Sequence, residues 1–476
     1  MLQPLNRHST TTPARLGHGH ISVTARALCL ALALSAAASP VTAQTIEAYP
    51  SAGASATGTT NRDYLEADDE RGQVYSTLQA GIGARLQDDT SAWFGEYRLI
   101  YNQPLATFGS NTDSSGEVET NQTARVGGEF LLTDRLSWTA EFEGFHGRNV
   151  VRIVQPFTIA DPTDDLVNRT TQQLVTERNT FLTLGVGTGL KYKLTEVDAL
   201  TARTFAQWRR DFEADVNVVG EGEDPVPQPQ RDSLNYGAIL GYERQFTPTL
   251  TGKLELGYTR YLVELQPDST GYSATLGARK ALTDRLNLTG SVGAIALFPD
   301  RDDPSFPIAG DDARRRTLIL RGGAAIEALF QNWQASVGYE RDATTNGPFG
   351  NTLLVDAARI DAYWFWDDDI LMRGNIVGFV TRPAFSVPGD GQINETTQAI
   401  GAGASAVFRI VDWLALDIGY SFYRRFPLAS GEADDATAGN LAARGDITVH
   451  TVLIGLSART TLTPLGPQGP AAAEPR

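Results

Sequence analysis

The chain has 476 residues, of which 41% are hydrophobic and 20% charged, and its formal net charge at pH 7 is −16. This acidity argues against nucleic acid as a partner, since the sequence shows no basic face that would neutralise phosphates. After residue 43 no run of about 18 apolar residues occurs, which excludes membrane-spanning helices as the architecture.

The first 43 residues have the pattern of a secretory signal peptide. An apolar stretch from Ala27 to Ala38 follows a basic region without acidic residues, and small residues at Val41 to Ala43 suit signal-peptidase cleavage. We therefore predict a signal peptide over 1–43. Its removal takes away three arginines, which changes the net charge from −16 to about −19, together with the single cysteine. The mature chain is then expected to have no disulfide or thiol chemistry.

The remainder of the chain repeats one unit, two long alternating stretches joined by a tight polar turn. The turns share a bulky apolar residue, a few turn-forming residues and a second bulky residue, and they occur at 132–136, 194–198, 246–250, 282–286, 330–333, 366–370 and 410–413, with a further one near Gln87. Longer loops rich in Asp, Gly, Pro, Ser and Asn are predicted at the other strand ends, at 104–116, 156–170, 215–230, 299–312 and 429–440. Short turns at one end and long loops at the other are typical of outer-membrane barrels.

The stretches between the turns alternate with a period of two. Leu254, Leu256 and Tyr258 alternate with Lys253, Glu255 and Thr259, as in a strand with one apolar face. These runs are long enough to cross a membrane as tilted strands, and longer than the usual strands of a β-propeller, the alternative for such a repeat. We predict an all-β fold, a transmembrane antiparallel up-and-down β-barrel of about 18 strands over 44–462, with a disordered periplasmic C-terminal tail over 463–476.

The hairpins resemble those of proteobacterial outer-membrane barrels of the β-barrel porin 2 type. Tyr272 to Leu286 and Leu288 to Gly293 carry the resemblance, which extends over nearly the whole mature chain through loose motifs. It implies a barrel without a settled activity, and some relatives are linked to exopolysaccharide export. The chain departs from the usual pattern at its end, because a Pro/Ala-rich tail follows the last strand where barrels commonly end on an aromatic residue.

The sequence offers little for catalysis. His146 and His450 are the two histidines after residue 43, and no nucleophile-histidine-acid motif surrounds either of them. Zinc sites need clusters of His or Cys, which are absent from the sequence. We therefore predict no enzyme, no catalytic residue, no metal and no cofactor. The acidic clusters of the loops are interpreted as a solvated rim.

The charged residues on the polar face of each predicted strand are the best functional indication. With the apolar face toward lipid, about 14 basic and 10 acidic side chains point inward. The predicted pore-lining residues are Arg98, Arg125, Glu129, Glu141, Lys191, Arg203, Arg209, Lys253, Glu255, Arg279, Arg321, Glu327, Arg359, Arg373 and Arg409. One interpretation is a slightly basic aqueous conduit, and the other is that these charges pair across strands and only solvate the wall.

Three functions follow from this pattern. The first is an outer-membrane pore for small polar or anionic solutes, or for polysaccharide export. The second is a non-conducting structural or envelope-interaction barrel, and the third is an outer-membrane hydrolase. The expected location is the outer membrane of a Gram-negative bacterium, and the expected partners are its lipid and lipopolysaccharide, the barrel assembly machinery, and a polysaccharide or small anionic solute, without nucleic acid. Inward folding of loop 156–170 or 213–230 would constrict the lumen.

Overall fold

A computed structural model of the chain describes residues 45–60, 72–87, 90–108, 118–148, 180–211, 232–263, 268–299, 317–344, 353–367, 369–383, 397–427 and 447–459. The predicted signal peptide over 1–43, the C-terminal tail over 463–476 and the two loops proposed to fold inward lie outside these residues. No helix in the described part of the chain is long and apolar enough to cross a membrane.

The described residues form one closed sheet of 18 antiparallel strands, which confirms the predicted fold class. The strands are β1 Thr45–Thr59, β2 Gly72–Gln87, β3 Ser91–Phe108, β4 Glu119–Thr133, β5 Leu136–Arg148, β6 Thr180–Lys193, β7 Asp198–Asp211, β8 Ser233–Thr247, β9 Leu250–Val263, β10 Ser269–Thr283, β11 Leu286–Pro299, β12 Thr317–Leu329, β13 Trp333–Thr344, β14 Leu353–Phe365, β15 Ile370–Pro383, β16 Thr397–Val411, β17 Leu414–Pro427 and β18 Ile447–Arg459.

Each strand pairs with its neighbours in sequence, and β1 closes the barrel against β18. Ser51 to Thr59 of β1 pair with Thr451 to Arg459, and the other edge of β1 pairs with β2 along its whole length. Closure leaves no exposed sheet edge among these strands, so every strand has a partner on both sides.

The predicted tight turns all occur between consecutive strands. One turn follows each even-numbered strand from β2 to β16 and joins it to the next strand in sequence. We call this end of the barrel the turn side and the opposite end the loop side. At the turns after β4 and β6, the hydroxyls of Thr133 and Thr195 accept backbone N–H groups two and three residues further on, which explains the recurrent Thr of the turn motif.

One predicted boundary was wrong. The loop expected to start at Pro104 starts later, since β3 continues to Phe108 through a register shift between Val74 and Tyr75. A bulge of this kind accommodates Pro104, which has no N–H to donate to the ladder.

The two faces of the sheet differ in crowding and in polarity. Large apolar side chains on one face are exposed, for example Leu276 at 60% and Val292 at 65%. Alternate positions carry the fully buried side chains, among them Leu297, Val355 and Asn102. The crowded face is the concave one, because side chains converge inside a closed barrel. We call it the inward face, and the exposed apolar face the outward face.

Candidate functional site

The inward face is the candidate functional surface, and strand register determines which residues share it. Across β9, β10 and β11 the exposed Leu254, Leu276 and Val292 form one cross-strand row on the outward face. The next row along, Glu255 with Thr275, therefore lies on the inward face. The same alternation applies around the barrel.

The structure places all fifteen predicted pore-lining residues at inward positions. Each alternates with outward apolar residues of its own strand, as Arg98 does with Leu99 and Arg373 with Met372. Their role in lining a pore remains a prediction. The predicted set did not include other inward charges that the alternation along each strand also places there, among them Arg85, Glu119, Glu243, Asp342, Asp361 and Arg425.

Many inward charges are paired along or across the strands. Arg98 Nη2 donates to Glu96 Oε1 at 2.6 Å, and Lys253 Nζ lies 2.8 Å from Glu255 Oε1. Three further pairs have the same character, and they are Arg125 with Glu141, Arg321 with Asp342, and Arg359 with Asp361. At these places the wall is electrically neutral, as expected if the charges only solvate it.

Arg125 bonds to a carboxylate that is not directly opposite it in the strand register. Glu96 and Glu143 lie directly opposite Arg125 on the neighbouring strands β3 and β5. Nevertheless Arg125 Nε and Nη2 both donate to Glu141 Oε1, at 2.9 and 2.6 Å, which is a diagonal neighbour. Glu96 is already bonded to Arg98, and the Arg125 guanidinium also lies 5.4 Å from the centroid of the Phe94 ring.

A second group of inward cations forms no ion pair with any carboxylate of the described residues. All of its members lie within five residues of a turn-side strand end. We call it the turn-side ring, and it consists of Arg85, Lys191, Lys193, Arg203, Arg279, Arg373 and Arg409. Among the inward residues whose side chains the structure describes, four carboxylates of the same zone are likewise outside any ion pair, namely Glu129, Glu243, Glu327 and Asp417. Within this described set, unpaired cations exceed unpaired carboxylates by seven to four.

Two members of the ring have buried N–H groups that find no hydrogen-bond partner among the described residues. These are Nε of Arg373, and Nε and Nη2 of Arg409. The nearby carboxylate of Asp417 accepts a hydrogen bond from Ser457 at 2.8 Å. A buried donor left without an acceptor is unfavourable, so this part of the inward face favours an anion that supplies the missing acceptor.

The wall beside these arginines is apolar. Tyr363, Leu371, Val407 and Ala415 form a buried cluster on the inward face of β14 to β17, and Leu371 pairs with Val407 across the strands. Apolar surroundings lower the local dielectric and strengthen the field of a charge. The guanidinium of Arg373 therefore acts on an approaching ion more strongly than a fully hydrated cation would.

Both histidines lie on the outward face, away from the inward charges. His146 pairs across strands with Gln122 and Leu182. The hydroxyl of Tyr420 lies 2.8 Å from Nδ1 of His450, whose ring is 5.3 Å from that of Phe422. Within the described ranges, no group of three His, Cys, Asp or Glu residues is arranged to hold a metal ion.

No family model matches the chain, and no curated protein matches it. Solved structures with some similarity include OccAB2 from Acinetobacter baumannii, at 11% identity and a TM-score of 0.42, covering 88% of this chain and 98% of that one. OprD from Pseudomonas aeruginosa is 9% identical with a TM-score of 0.37, over 87% and 96% of the two chains. The FrpB iron transporter from Neisseria meningitidis, F5-1 variant, is 9% identical with a TM-score of 0.42, over 86% and 82%. Similarity at this level assigns neither a family nor a function.

Proposed function

We propose that the protein is an outer-membrane pore of a Gram-negative bacterium, with the turn side in the periplasm. The closed barrel supports this, since it carries exposed apolar side chains on its outward face and charges on its inward face. A soluble protein would not leave so much apolar surface in water. A barrel of 16 to 18 strands is also wide enough for an aqueous channel.

The proposed solutes are small and anionic, and the turn-side ring is the observation that carries this part of the proposal. Paired charges such as Arg98 with Glu96 cancel and select no ion. The ring cations have no carboxylate within ion-pairing distance among the described residues, so their field extends into the lumen. An anion that leaves toward the periplasm passes this excess of positive charge.

The buried donors of Arg373 and Arg409 favour solutes with carboxylate or phosphate oxygens. Such oxygens accept from a guanidinium in bidentate geometry, which chloride does not reproduce. We therefore expect a carboxylate-bearing solute to compete with chloride at this position. The chain is acidic overall, so this local basic character is not a consequence of bulk composition.

Planar-bilayer conductance of the purified protein tests the proposal. In a salt gradient the reversal potential is expected to show anion preference. Millimolar citrate is expected to bind at Arg373 and Arg409 and thereby to reduce the chloride current. Absence of channels would overturn the pore in favour of a non-conducting barrel. Channels with cation preference would leave the pore intact and overturn the choice of anions.

A further inference from the structure

The outward face has a band free of charge between two polar zones. Among the described outward side chains, no Asp, Glu, Lys or Arg lies four to seven residues from a turn-side strand end. Charged outward residues near the turn side are Asp198, Arg244 and Lys280. A charge at mid-depth in lipid would cost about 2–4 kcal/mol, so the band marks the middle of the apolar part of a membrane.

The loop-side zone of the outward face is rich in arginine. Five arginines lie eight to twelve residues from the turn-side ends of their strands, and we call them the outward arginine belt: Arg210, Arg260, Arg341, Arg382 and Arg424. Asp356 is the one outward carboxylate within the described strands at this height, while Asp232 and Asp268 directly precede β8 and β10. The belt is therefore basic on a chain whose net charge is −16.

Strand geometry places the belt at the far boundary of the membrane. A rise of about 3.3 Å per residue and a tilt of about 40° give a height of roughly 20–30 Å above the turn side. The apolar band of an outer-membrane barrel is about 25 Å tall. The four members that lie ten to twelve residues from the turn side, at about 25–30 Å, are therefore at the level of the headgroups on the loop side. Arg341, at about 20 Å, reaches that level through its long side chain.

Some guanidinium groups of the belt form ion pairs with carboxylates, and others form none within the described residues. Arg341 Nη1 lies 3.5 Å from Asp356 Oδ1, which also accepts a hydrogen bond from the Tyr339 hydroxyl at 2.7 Å, whereas Arg341 Nε is buried without a partner. Arg382 is exposed and forms no ion pair with a described carboxylate. Register puts Arg382 two strands and two residues from Arg341, so their Cα atoms are roughly 12 Å apart on the same face.

We propose that the outward arginine belt binds the phosphate groups of lipopolysaccharide, with the patch of Arg341 and Arg382 as its main site. The inference rests on the proposed outer-membrane location, in which the loop side faces the leaflet that contains lipopolysaccharide. Guanidinium groups recognise phosphate in bidentate geometry. The neighbouring outward Ile360 and Ile376, both exposed, offer apolar surface for acyl chains directly below the patch.

Charge complementarity favours this occupant over a second protein. Five arginines around the circumference do not form one compact interface, since they lie on β7, β9, β13, β15 and β17. A ring of separate cations at one height matches a layer of identical anionic headgroups. Uncharged headgroups would gain nothing from this arrangement.

Lipid binding by two charge-matched double variants tests the proposal. The purified protein is titrated in detergent with diphosphoryl lipid A and with dephosphorylated lipid A, and bound lipid is counted by native mass spectrometry. The variant Arg341→Gln/Arg382→Gln is expected to weaken diphosphoryl lipid A binding at least about fivefold, through loss of two charge-assisted phosphate contacts. The control Arg244→Gln/Lys280→Gln removes two outward cations near the turn side and is expected to retain wild-type binding.

Several outcomes would overturn the proposal. They are equal binding of the two forms of lipid A, an equal loss in the control variant, or binding of phosphatidylglycerol as tight as that of lipid A. Heat-modifiable migration on gels establishes that each variant is folded. Conductance distinguishes this inference from the proposed pore, because the belt lies outside the lumen and both variants are expected to conduct as the wild type does.

Discussion

Replacement of Lys191, Arg203 and Arg279 by glutamine removes three of the seven cations of the turn-side ring. None of the three forms an ion pair with a described carboxylate, so no carboxylate loses a partner. The side chains remain long and polar, and the barrel should fold. We expect the reversal potential of the triple variant in a salt gradient to shift toward cation preference.

The size of this shift follows from Coulomb's law. A wall charge about 8 Å from a permeating ion contributes about 0.5 kcal/mol in water. Screening in 0.1 M salt reduces this contribution to about 0.2 kcal/mol. Three charges then raise the energy of an anion by about 0.7 kcal/mol and lower that of a cation by about the same amount, which corresponds to a roughly tenfold fall in the anion-to-cation permeability ratio.

The assay compares wild type, the triple variant and a charge-neutral control in planar bilayers at 0.1 M and 1 M salt. The control Arg98→Gln/Glu96→Gln removes an ion pair whose atoms are 2.6 Å apart, and its net charge is unchanged. It should leave the reversal potential within error of wild type. At 1 M salt the effect of the triple variant should almost vanish, since the Debye length falls to about 3 Å. A triple variant with wild-type selectivity, or a control that shifts equally, would refute the reasoning.

Three further predictions concern the wall itself. Gly83→Val should lower the unfolding temperature and cost about 1–3 kcal/mol, because the ring of Tyr49 occupies the space that a Cβ would need; thermal unfolding in micelles measures this. Leu276→Arg should destabilise the barrel by about 2–4 kcal/mol in lipid while Thr275→Arg is tolerated, since the two lie on opposite faces; urea unfolding in vesicles measures the difference. Glu141→Gln should raise the anion-to-cation permeability ratio about twofold, since it leaves a wall arginine without its carboxylate; reversal potentials measure the change.

Each of these predictions has a result that contradicts it. Gly58→Ala serves as the control for the glycine prediction, since among the described residues the one atom within 4 Å of its Cβ would be a Val74 carbon at 3.9 Å. An equal loss of stability in this control would show that the Tyr49 ring is not the cause. Equal costs for the two arginine substitutions would contradict the assignment of faces, and a larger cost at Thr275 would reverse it. A shift toward cations in Glu141→Gln would show that the wall pair does not act through its charge.

The architecture was predictable because local chemistry encodes it. A turn such as 282–286 needs its Thr, its Asp and two bulky flanking residues, and these are visible in the sequence. Alternation gives the face of each residue, as for Lys253 and Leu254. Strand ends were less predictable, because β3 passes through Pro104 by means of a bulge, and a bulge depends on the partner strand.

The electrostatics of the inward face were only partly predictable. Sequence parity places Arg125 and Glu141 on one face, and it cannot tell whether Arg125 bonds to Glu141, Glu143 or Glu96. That choice depends on register and on which carboxylates are already occupied. Which cations are neutralised and which remain in the turn-side ring therefore depends on contacts between strands, and these cannot be derived from the sequence of single strands.

The pairing of β1 with β18 has a consequence for how the barrel forms. All other pairings join strands adjacent in sequence, whereas Thr59 of β1 meets Thr451 of β18 almost four hundred residues later in the chain. We therefore expect the hairpins to form early and the barrel to close only when the last strand pairs. The entropy cost of this closure grows only logarithmically with the length of the loop. Loss of the segment from Ile447 to Arg459 would leave two open edges, and open edges invite pairing with other chains. The final strand thus protects the whole barrel against aggregation, although it is a small part of its wall.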